Sequence, residues 1–440
     1  MGQTPLKYGD LKIQPSARPE SRPGTTELRA SRGRKRVVFV LPTLLAGGAE
    51  RVLITLMNGL DRRTFVPELV VLSERGPLRD WVAPDTPVHS LGNVRVRGSL
   101  VKLTRTLNEI SPDIVVSTMA AMNYAVLMVK PFLKKKPRLI VREAVVPSSI
   151  AENQRTPWLV RKAYQTLYPG ADLVLSPAQC IIDEFESYLG MPTKYHVSLP
   201  NPVDIARLRR GAPQELFAAG ERPATTRFIC AGRLHEQKGF DRLIAAQAQA
   251  DGARLITALP RMAHGNWTLN ILGVGEQQET LQKLISSLGL QDKVTLDGLI
   301  KNPWPQIGAA DCFLLPSRWE GLPNVVLESL ACGTPVIGMD EAGGIAEIAA
   351  LAGDKSVKIV RSMDEMIWAM SLVEPAPAET FRPSLLPTHF HLDSVNARFA
   401  ALLEGRDAAV NETEEITEEV SFAAPLRVPP LSSGPAVSAP

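Results

Sequence analysis

The sequence predicts an α/β chain of two doubly wound domains, and three observations carry that prediction. Short β-branched runs alternate with helix-patterned segments through most of the chain, the alternation stops and restarts around Asn201-Pro202, and the joint at 200–224 is dense in proline and glycine. Apolar runs of this kind are strands buried on both faces, and their alternation with helices builds right-handed βαβ units around a parallel sheet.

The first set of strands is RVVFVL (36–41), 69–72, DIVVS (113–117), RLIV (138–141) and DLVLS (172–176), with helical stretches such as 50–60, 100–110 and 177–189 between them. The second is RFICA (227–231), WTLNIL (267–272), 293–297, 311–316 and 335–339. A length of 440 residues with 45% hydrophobic and 22% charged residues is enough for two ordinary globular cores. The expected division is a tail over 1–33, a Rossmann-like N-domain over 34–204, a linker over 205–224, a Rossmann-like C-domain over 225–388, a helix over 389–404 and a tail over 405–440. Both tails are rich in Pro, Ser, Ala and charge, a composition that cannot offset its ordering entropy, so both are expected to be disordered.

Several function classes fall away at this level. No apolar run reaches the ~20 residues of a membrane span, and 113–133 reads as strand, turn and helix. The N-terminus lacks an apolar signal region, so the folded body is expected in the cytoplasm. Four cysteines without a CxxC pair read as reduced, mostly buried thiols. Net charge is +3, but 34–200 carries 22 Lys/Arg against 14 Asp/Glu, a local excess of +8. That asymmetry fits an anionic partner surface or a solvated face. A nucleic-acid partner is not expected, since the excess is modest and no recognition module is present.

Three loops carry chemistry. In the first, DCFLLPS (311–317) is a strand that runs into Trp319-Glu320-Gly321-Leu322-Pro323-Asn324 and then a helix, with Pro323 expected at its first position. Glu320 sits in the loop and Glu328 about one and a half turns into the helix, at the carboxyl edge where open α/β sheets bind ligands. A carboxylate accepts two hydrogen bonds from a diol, and free amides at Gly321, Leu322 and the first turn offer donors to an anion. The same spacing also fits an ordinary helix start with a surface glutamate on either side. In the second, Gly232-Arg233 and Lys238 flank a turn between strand and helix, a cradle in which two cations replace a divalent metal in stabilising a diphosphate. Alone, that segment would be a solvated corner. The chain has no D-x-D triplet, and no metal or cofactor is expected. In the third, Gly47-Gly48 follows the first strand and permits close approach of backbone to ligand. Neither this loop nor Gly273-Val274-Gly275 completes a dinucleotide-binding GxGxxG.

Together these stretches resemble a known family. LPTLLAGGAERVL (41–53), LPNPVD (199–204), CAGRLHEQKGFDRLI (230–244), 269–298 and DCFLLPSRWEGLPNVVLESLACGTPVIGMDEAGGIAEI (311–348) stand in the order and spacing of the retaining GT-B glycosyltransferases of the family 4 type, related to glycogen and sucrose synthases and to bacterial lipopolysaccharide and capsule enzymes. The resemblance implies two facing Rossmann-like domains. It also implies transfer of a hexose-type sugar from a nucleotide diphosphate sugar, UDP-linked ahead of GDP-linked, to a glycan or lipid-linked acceptor. By resemblance, Arg233 and Lys238 neutralise the donor diphosphate and Glu320 faces the transferred sugar. Gly321 and Leu322 lend backbone donors, with Pro323 and Asn324 beside them, and Glu328 takes the ribose. Gly47 and Gly48 close over the phosphates, and Gly232, Gly273 and Gly275 belong to the donor loops.

One departure concerns the acceptor side. Many relatives carry a histidine after the fourth strand, where this chain reads Ser117-Thr118-Met119; Ser117, Asn123, Arg142 and Glu143 are the acceptor-side candidates instead. His235 lies in the cation loop as a phosphate contact or a surface residue, and His389 with His391 lacks the further ligands of a metal site. The basic run 134–138 and the segment with Trp158, Arg161, Lys162, Tyr164 and Tyr168 read either as an anionic-membrane contact or as solvated surface. Two rival functions share the fold: a nucleotide-sugar epimerase, and a non-catalytic nucleotide-sugar-binding protein.

Overall fold

The computed structural model describes residues 33–45, 47–92, 95–152, 156–210, 225–252, 266–375 and 382–406. The expected tails lie outside the described residues apart from Gly33, Gly405 and Arg406, as does 211–224 of the expected linker.

The first sheet starts with β1 (Lys35–Thr43), whose Val37–Leu41 core is fully buried because helices cover both faces. It continues with β2 (Phe65–Ser73), β3 (Val88–Ser90), β4 (Ile114–Thr118), β5 (Arg138–Arg142), β6 (Leu173–Ser176) and β7 (His196–Ser198), all parallel, in the order β3-β2-β1-β4-β5-β6-β7. The helices are α1 (Gly48–Asn58), α2 (Leu100–Ile110), α3 (Ala120–Val129), α4 (Pro147–Glu152), α5 (Pro157–Leu167) and α6 (Gln179–Ser187). A short α7 (Ile205–Arg209), capped by Asp204 accepting from the Arg207 amide, occupies the first part of the expected linker.

The second sheet comprises β8 (Thr225–Ala231), β9 (Asn266–Leu272), β10 (Val294–Gly298), β11 (Cys312–Leu315), β12 (Val336–Met339) and β13 (Val357–Val360), parallel in the order β10-β9-β8-β11-β12-β13. Its helices are α8 (Phe240–Gly252), α9 (Gln278–Ser287), α10 (Trp304–Ala309), α11 (Asn324–Ala331), α12 (Ile345–Ala352) and α13 (Met363–Ser371). Strand order reverses between β1 and β4 in one sheet and between β8 and β11 in the other, and each reversal opens a crevice at the carboxyl edge.

The last helix, α14 (Leu392–Glu404), returns to the N-domain: Val395, Phe399, Leu402 and Leu403 are buried in the same cluster as Val37, Phe39 and Leu53, with Phe399 and Phe39 ring centroids 6.2 Å apart. The two crossings run side by side, joined where the Val203 amide donates to the Phe390 carbonyl and the Leu392 amide to the Val203 carbonyl.

Strands β3, β7 and β13 were not among the expected ones. All three lie at sheet edges, and two carry polar VHS and HVS sequences that show no strand-like apolar pattern. The stretch 113–133 folds as strand, helix and 3-10 turn, and among the described residues no helix is long and apolar enough to cross a membrane. All four cysteines are free.

Candidate functional site

The two carboxyl edges face one another. Gly48 at the start of α1 stands so close to Asn324 at the start of α11 that a Cβ there would lie 2.8 Å from the Asn324 amide nitrogen. At Gly321 a Cβ would fall 2.2 Å from the Ala144 carbonyl oxygen, so only glycine lets the loop after β11 meet the N-domain backbone. Further bridges close the cleft. Arg51 of α1 donates to Glu328, and Asn201 Nδ2 donates to Asn324 Oδ1 at 2.7 Å. Glu347 Oε1 accepts the amides of Gln179 (2.7 Å) and Cys180 (3.3 Å), capping α6 from across the cleft.

Loops after β8 and β11 flank the crevice of the second sheet and are stitched together. Arg318 forms a two-pronged pair with Asp241 (2.8 and 2.8 Å), and its amide donates to the Gln237 carbonyl; Arg242 Nε donates to the Pro316 carbonyl at 2.9 Å. Planar guanidinium forks fix geometry as well as charge, so the cation turn is rigidly placed against the Glu320 loop. Gly232 begins that turn, and Gly273 and Gly275 back it, through Leu234 donating to the Val274 carbonyl and Gln277 to the Leu234 carbonyl.

Glu320 is 8% exposed; its Oε1 accepts from Lys238 Nζ at 2.5 Å and from Ser317 Oγ at 2.8 Å. Arg233 is exposed and pairs with no carboxylate among the described residues, yet its charge reaches across the cleft: burial raises the Glu50 pKa first, and Arg233 is among the influences pulling it back. The amides of Gly321 and Leu322 donate to no protein acceptor among the described residues, while the Leu322 side chain is buried in the core. Pro323 precedes the helix rather than starting it, because its backbone is still extended (φ −74°, ψ 99°) and α11 begins at Asn324.

Glu328, also 8% exposed, stands at the other end of the cleft, engaged by Arg51 and by the Trp304 indole (Nε1 to Oε2, 3.2 Å). It borders a cavity of about 250 Å³ walled by Trp81, Arg207 and Trp304; Arg207 stacks 3.7 Å from the Trp81 ring centre. A second cavity, about 380 Å³, opens beside Glu320. The E-x7-E spacing thus sets the two carboxylates beside different cavities, with Lys238 and the adjoining amides of Gly321 and Leu322 near Glu320. Sequence reasoning missed Arg51, Trp81, Asn201, Arg207, Trp304, Ser317, Arg318 and Asp241. All but Trp81, Arg207 and Trp304 lie within the quoted stretches, Arg51 in 41–53, Asn201 in 199–204, Asp241 in 230–244 and Ser317 and Arg318 in 311–348, but nothing there singled them out.

The acceptor-side expectation is corrected. Ser117, Asn123, Arg142 and Glu143 are at most 1% exposed and serve one another in the N-domain interior. Ser117 Oγ donates to Asn123 Oδ1 (2.7 Å), and Asn123 Nδ2 donates to the Arg142 carbonyl (3.1 Å) and Tyr168 hydroxyl (3.0 Å). Tyr164 (2.9 Å) and Tyr168 both donate to Glu143, while Arg142 donates to Asn201. Burial pushes Glu143 up to about 7 and Arg142 down to about 10. Tyr164 and Tyr168 are likewise core residues at 0% and 2% exposure and no part of a surface anchor. Met119, at the end of the stretch that lacks a histidine, has a positive φ of 71° just after β4. His391 Nε2 lies 3.2 Å from the Leu386 carbonyl, and among the described residues no cluster of three or more metal-ligating side chains occurs.

Comparison with known proteins places the chain in a family. Residues 46–207 match the family described as Glycosyltransferase Family 4, and 213–377 match Glycosyl transferases group 1. The chain is 28% identical over 335 residues to N-acetylgalactosamine-N,N'-diacetylbacillosaminyl-diphospho-undecaprenol 4-alpha-N-acetylgalactosaminyltransferase of Campylobacter jejuni, covering 73% of this chain and 84% of that one. It is 30% identical over 270 residues to the GDP-mannose-dependent alpha-(1-6)-phosphatidylinositol monomannoside mannosyltransferase of Mycolicibacterium smegmatis, covering 57% and 67%. Among solved structures, Anabaena HepE in complex with UDP and glucose superposes with a TM-score of 0.64 at 18% identity, covering 84% of this chain and all of that one. With both domains matched in order, on a fold of two facing Rossmann-like sheets, the chain belongs to the group 1, family 4 glycosyltransferases and is a glycosyltransferase of the GT-B fold.

Proposed function

We propose that the chain moves a hexose-type sugar, with retention at the anomeric carbon, from a UDP-linked donor to a glycan or lipid-linked acceptor in surface-glycan or glycolipid synthesis. The observation that carries this reading is Lys238 paired with Glu320 next to the amides of Gly321 and Leu322, which with Arg233 have no protein partner among the described residues, and a second carboxylate, Glu328, in the same cleft. Arg233 and Lys238 take the diphosphate, Lys238 turning from Glu320 to the phosphate when the donor enters. Glu328 accepts the ribose hydroxyls and Glu320 faces the transferred sugar, while Gly47 and Gly48 bring the N-domain loop over the phosphates. As the bond from C1 to the phosphate oxygen breaks, the acceptor oxygen bonds to C1 on the same face. The acceptor proton passes to the departing phosphate, whose growing charge the two cations hold. No metal ion enters this scheme. The named relatives favour a lipid-linked acceptor, since one acts on a diphospho-undecaprenol-linked glycan and another on a phosphatidylinositol mannoside. HepE, solved with UDP, favours UDP, whereas the mannosyltransferase uses GDP-mannose.

Work at the inner face of the cell membrane is part of the same proposal. Phe132, in a 3-10 turn that packs on α3, and Trp158, on α5, which also packs on α3, are 70% and 67% exposed, and Lys134, Lys136, Arg161 and Lys162 are exposed on the same stretches of chain. Lys135 differs, being paired with Asp113 at 2.7 Å. Cations attracted to anionic headgroups contribute about 1 kcal/mol each near the surface, and the apolar side chains add a shallow anchor. Sedimentation with phosphatidylglycerol and with zwitterionic vesicles tests this part; equal, negligible binding to both at low salt refutes it. For the reaction, UDP release from a panel of UDP- and GDP-sugars, followed by NMR of the product's anomeric configuration, is the test. An inverted product overturns the mechanism, and turnover of GDP-sugars alone overturns the donor assignment.

A further inference from the structure

The four N-domain residues expected to meet the acceptor are buried, so the acceptor must be received elsewhere. The 380 Å³ cavity beside Glu320 has a floor from the C-domain, Trp319 with Glu320 and Glu341, and a wall from the N-domain, Ser148 and Glu152 of α4 with Glu184 of α6. Among the described residues its charges do not cancel. Glu320 is paired with Lys238 and Glu341 with Arg242, but among the described residues no cation pairs with Glu152 or Glu184. Glu184 is nonetheless held in place, accepting from the Ser148 amide at 2.8 Å and the Ser148 hydroxyl at 2.7 Å. Each of its oxygens keeps a second lone pair for a ligand. Trp319 is half-buried and braced, its carbonyl accepting from Gln237 Nε2 at 2.9 Å and its ring meeting His235 edge-on.

We infer that this cavity is the acceptor subsite and that it takes an uncharged or amino-bearing pyranose. An indole face suits the C–H surface of a sugar ring, and a fixed carboxylate suits its donor hydroxyls or an ammonium. The transferred sugar occupies the Glu320 end, and the acceptor lies between Trp319 and Glu184. A uronate or phosphate in the same place would meet two carboxylates that no cation pairs with among the described residues, and such like-charge contact is the repulsive element that gives specificity. This inference rests on the glycosyl-transfer reading and adds the chemical class of the acceptor's receiving residue.

The test uses the full chain with a UDP-sugar that it turns over, and octyl glucoside, octyl galactoside, octyl 2-amino-2-deoxyglucoside and octyl glucuronide as acceptor probes. The neutral and amino glycosides should raise UDP release, with kcat/KM for the glucuronide at least tenfold lower. Glu152→Gln with Glu184→Gln should narrow that gap at least threefold, and Trp319→Leu should raise KM for the glycoside more than for the donor. If the Glu184 change disturbs α4, Glu152→Gln alone, at an exposed residue, should still narrow the gap. A preferred glucuronide, an unchanged gap in the double variant, or no stimulation by any glycoside overturns the subsite. UDP affinity, measured calorimetrically on the same proteins, separates the two readings, because its absence in the unaltered chain strikes the donor site instead.

Discussion

Glu328→Gln isolates the ribose contact, because it removes charge with almost no change of shape from a carboxylate that is 8% exposed. In the structure Glu328 already holds Arg51 on one oxygen and the Trp304 indole on the other, so under the proposed ribose assignment the hydroxyls would use the remaining lone pairs. A hydrogen bond to a charged group contributes about 1.5–3 kcal/mol, and a tenfold change in affinity corresponds to about 1.4 kcal/mol. UDP should therefore bind roughly 10–150-fold more weakly to the variant. Loss of the Arg51 pair also loosens the cleft, so affinity alone does not identify the ribose. Calorimetry with UDP and 2′,3′-dideoxy-UDP does: the unaltered chain should prefer UDP by a similar factor, and Glu328→Gln should bind the two about equally. Arg51→Met, which removes the clamp and keeps the carboxylate, should retain the preference. If Glu328→Gln still discriminates as the unaltered chain does, the ribose assignment is wrong.

Gly321→Ala sets a methyl 2.2 Å from the Ala144 carbonyl, and overpacking of this kind costs about 1–3 kcal/mol; turnover should fall at least tenfold with UDP affinity changed little, and undiminished turnover would show that the domains need not approach this closely. Turnover should survive EDTA, and activity lost to it and restored by Mg²⁺ or Mn²⁺ would contradict a diphosphate held by Arg233 and Lys238. Phe399→Ala should destabilise the fold by about 3–5 kcal/mol, as for other buried phenylalanines, read as a lower melting temperature; a shift of a degree or less would detach α14 from the N-domain core. Burial holds His196 down at about 4, against 6.5 when unfolded. The unfolded chain therefore takes the proton first, and the stability from keeping His196 neutral is full above about 6.5 and lost as pH falls toward 4. Between pH 7 and 5 the melting temperature should fall more for the unaltered chain than for His196→Gln; parallel curves would contradict the assignment.

Most of this architecture was legible because the signals that made it so are local. A run such as Val37–Leu41 is apolar throughout because helices cover both its faces, and that pattern survives in the sequence without knowledge of neighbours. The strands at the sheet edges left no such trace, since one side of VHS or HVS has no partner strand and their side chains need not be apolar. The two loops of the candidate site were legible for a related reason: Gly232 to Lys238 and Glu320 to Glu328 each lie on one continuous stretch. What joins the loops was not, because Arg51 reaches Glu328 across 277 positions and Asn201 reaches Asn324 across 123. Residue type misled the reading at Ser117, Asn123, Arg142 and Glu143. Polar side chains at strand ends look like ligands until burial shows them satisfying one another.

The return of α14 makes the second Rossmann-like unit an insertion within the first. The N-domain is complete only when the final helix of the described chain arrives, so during synthesis the face carrying Phe39 and Leu53 waits uncovered for Phe399 while the whole second Rossmann-like unit is made. That late closure also ties the two halves by a pair of adjacent strands of chain rather than one. A joint with two pins resists twisting and still permits swinging. In the structure that double crossing accompanies the close approach of Gly48 to Asn324, where a Cβ on Gly48 would lie 2.8 Å from the Asn324 side-chain nitrogen.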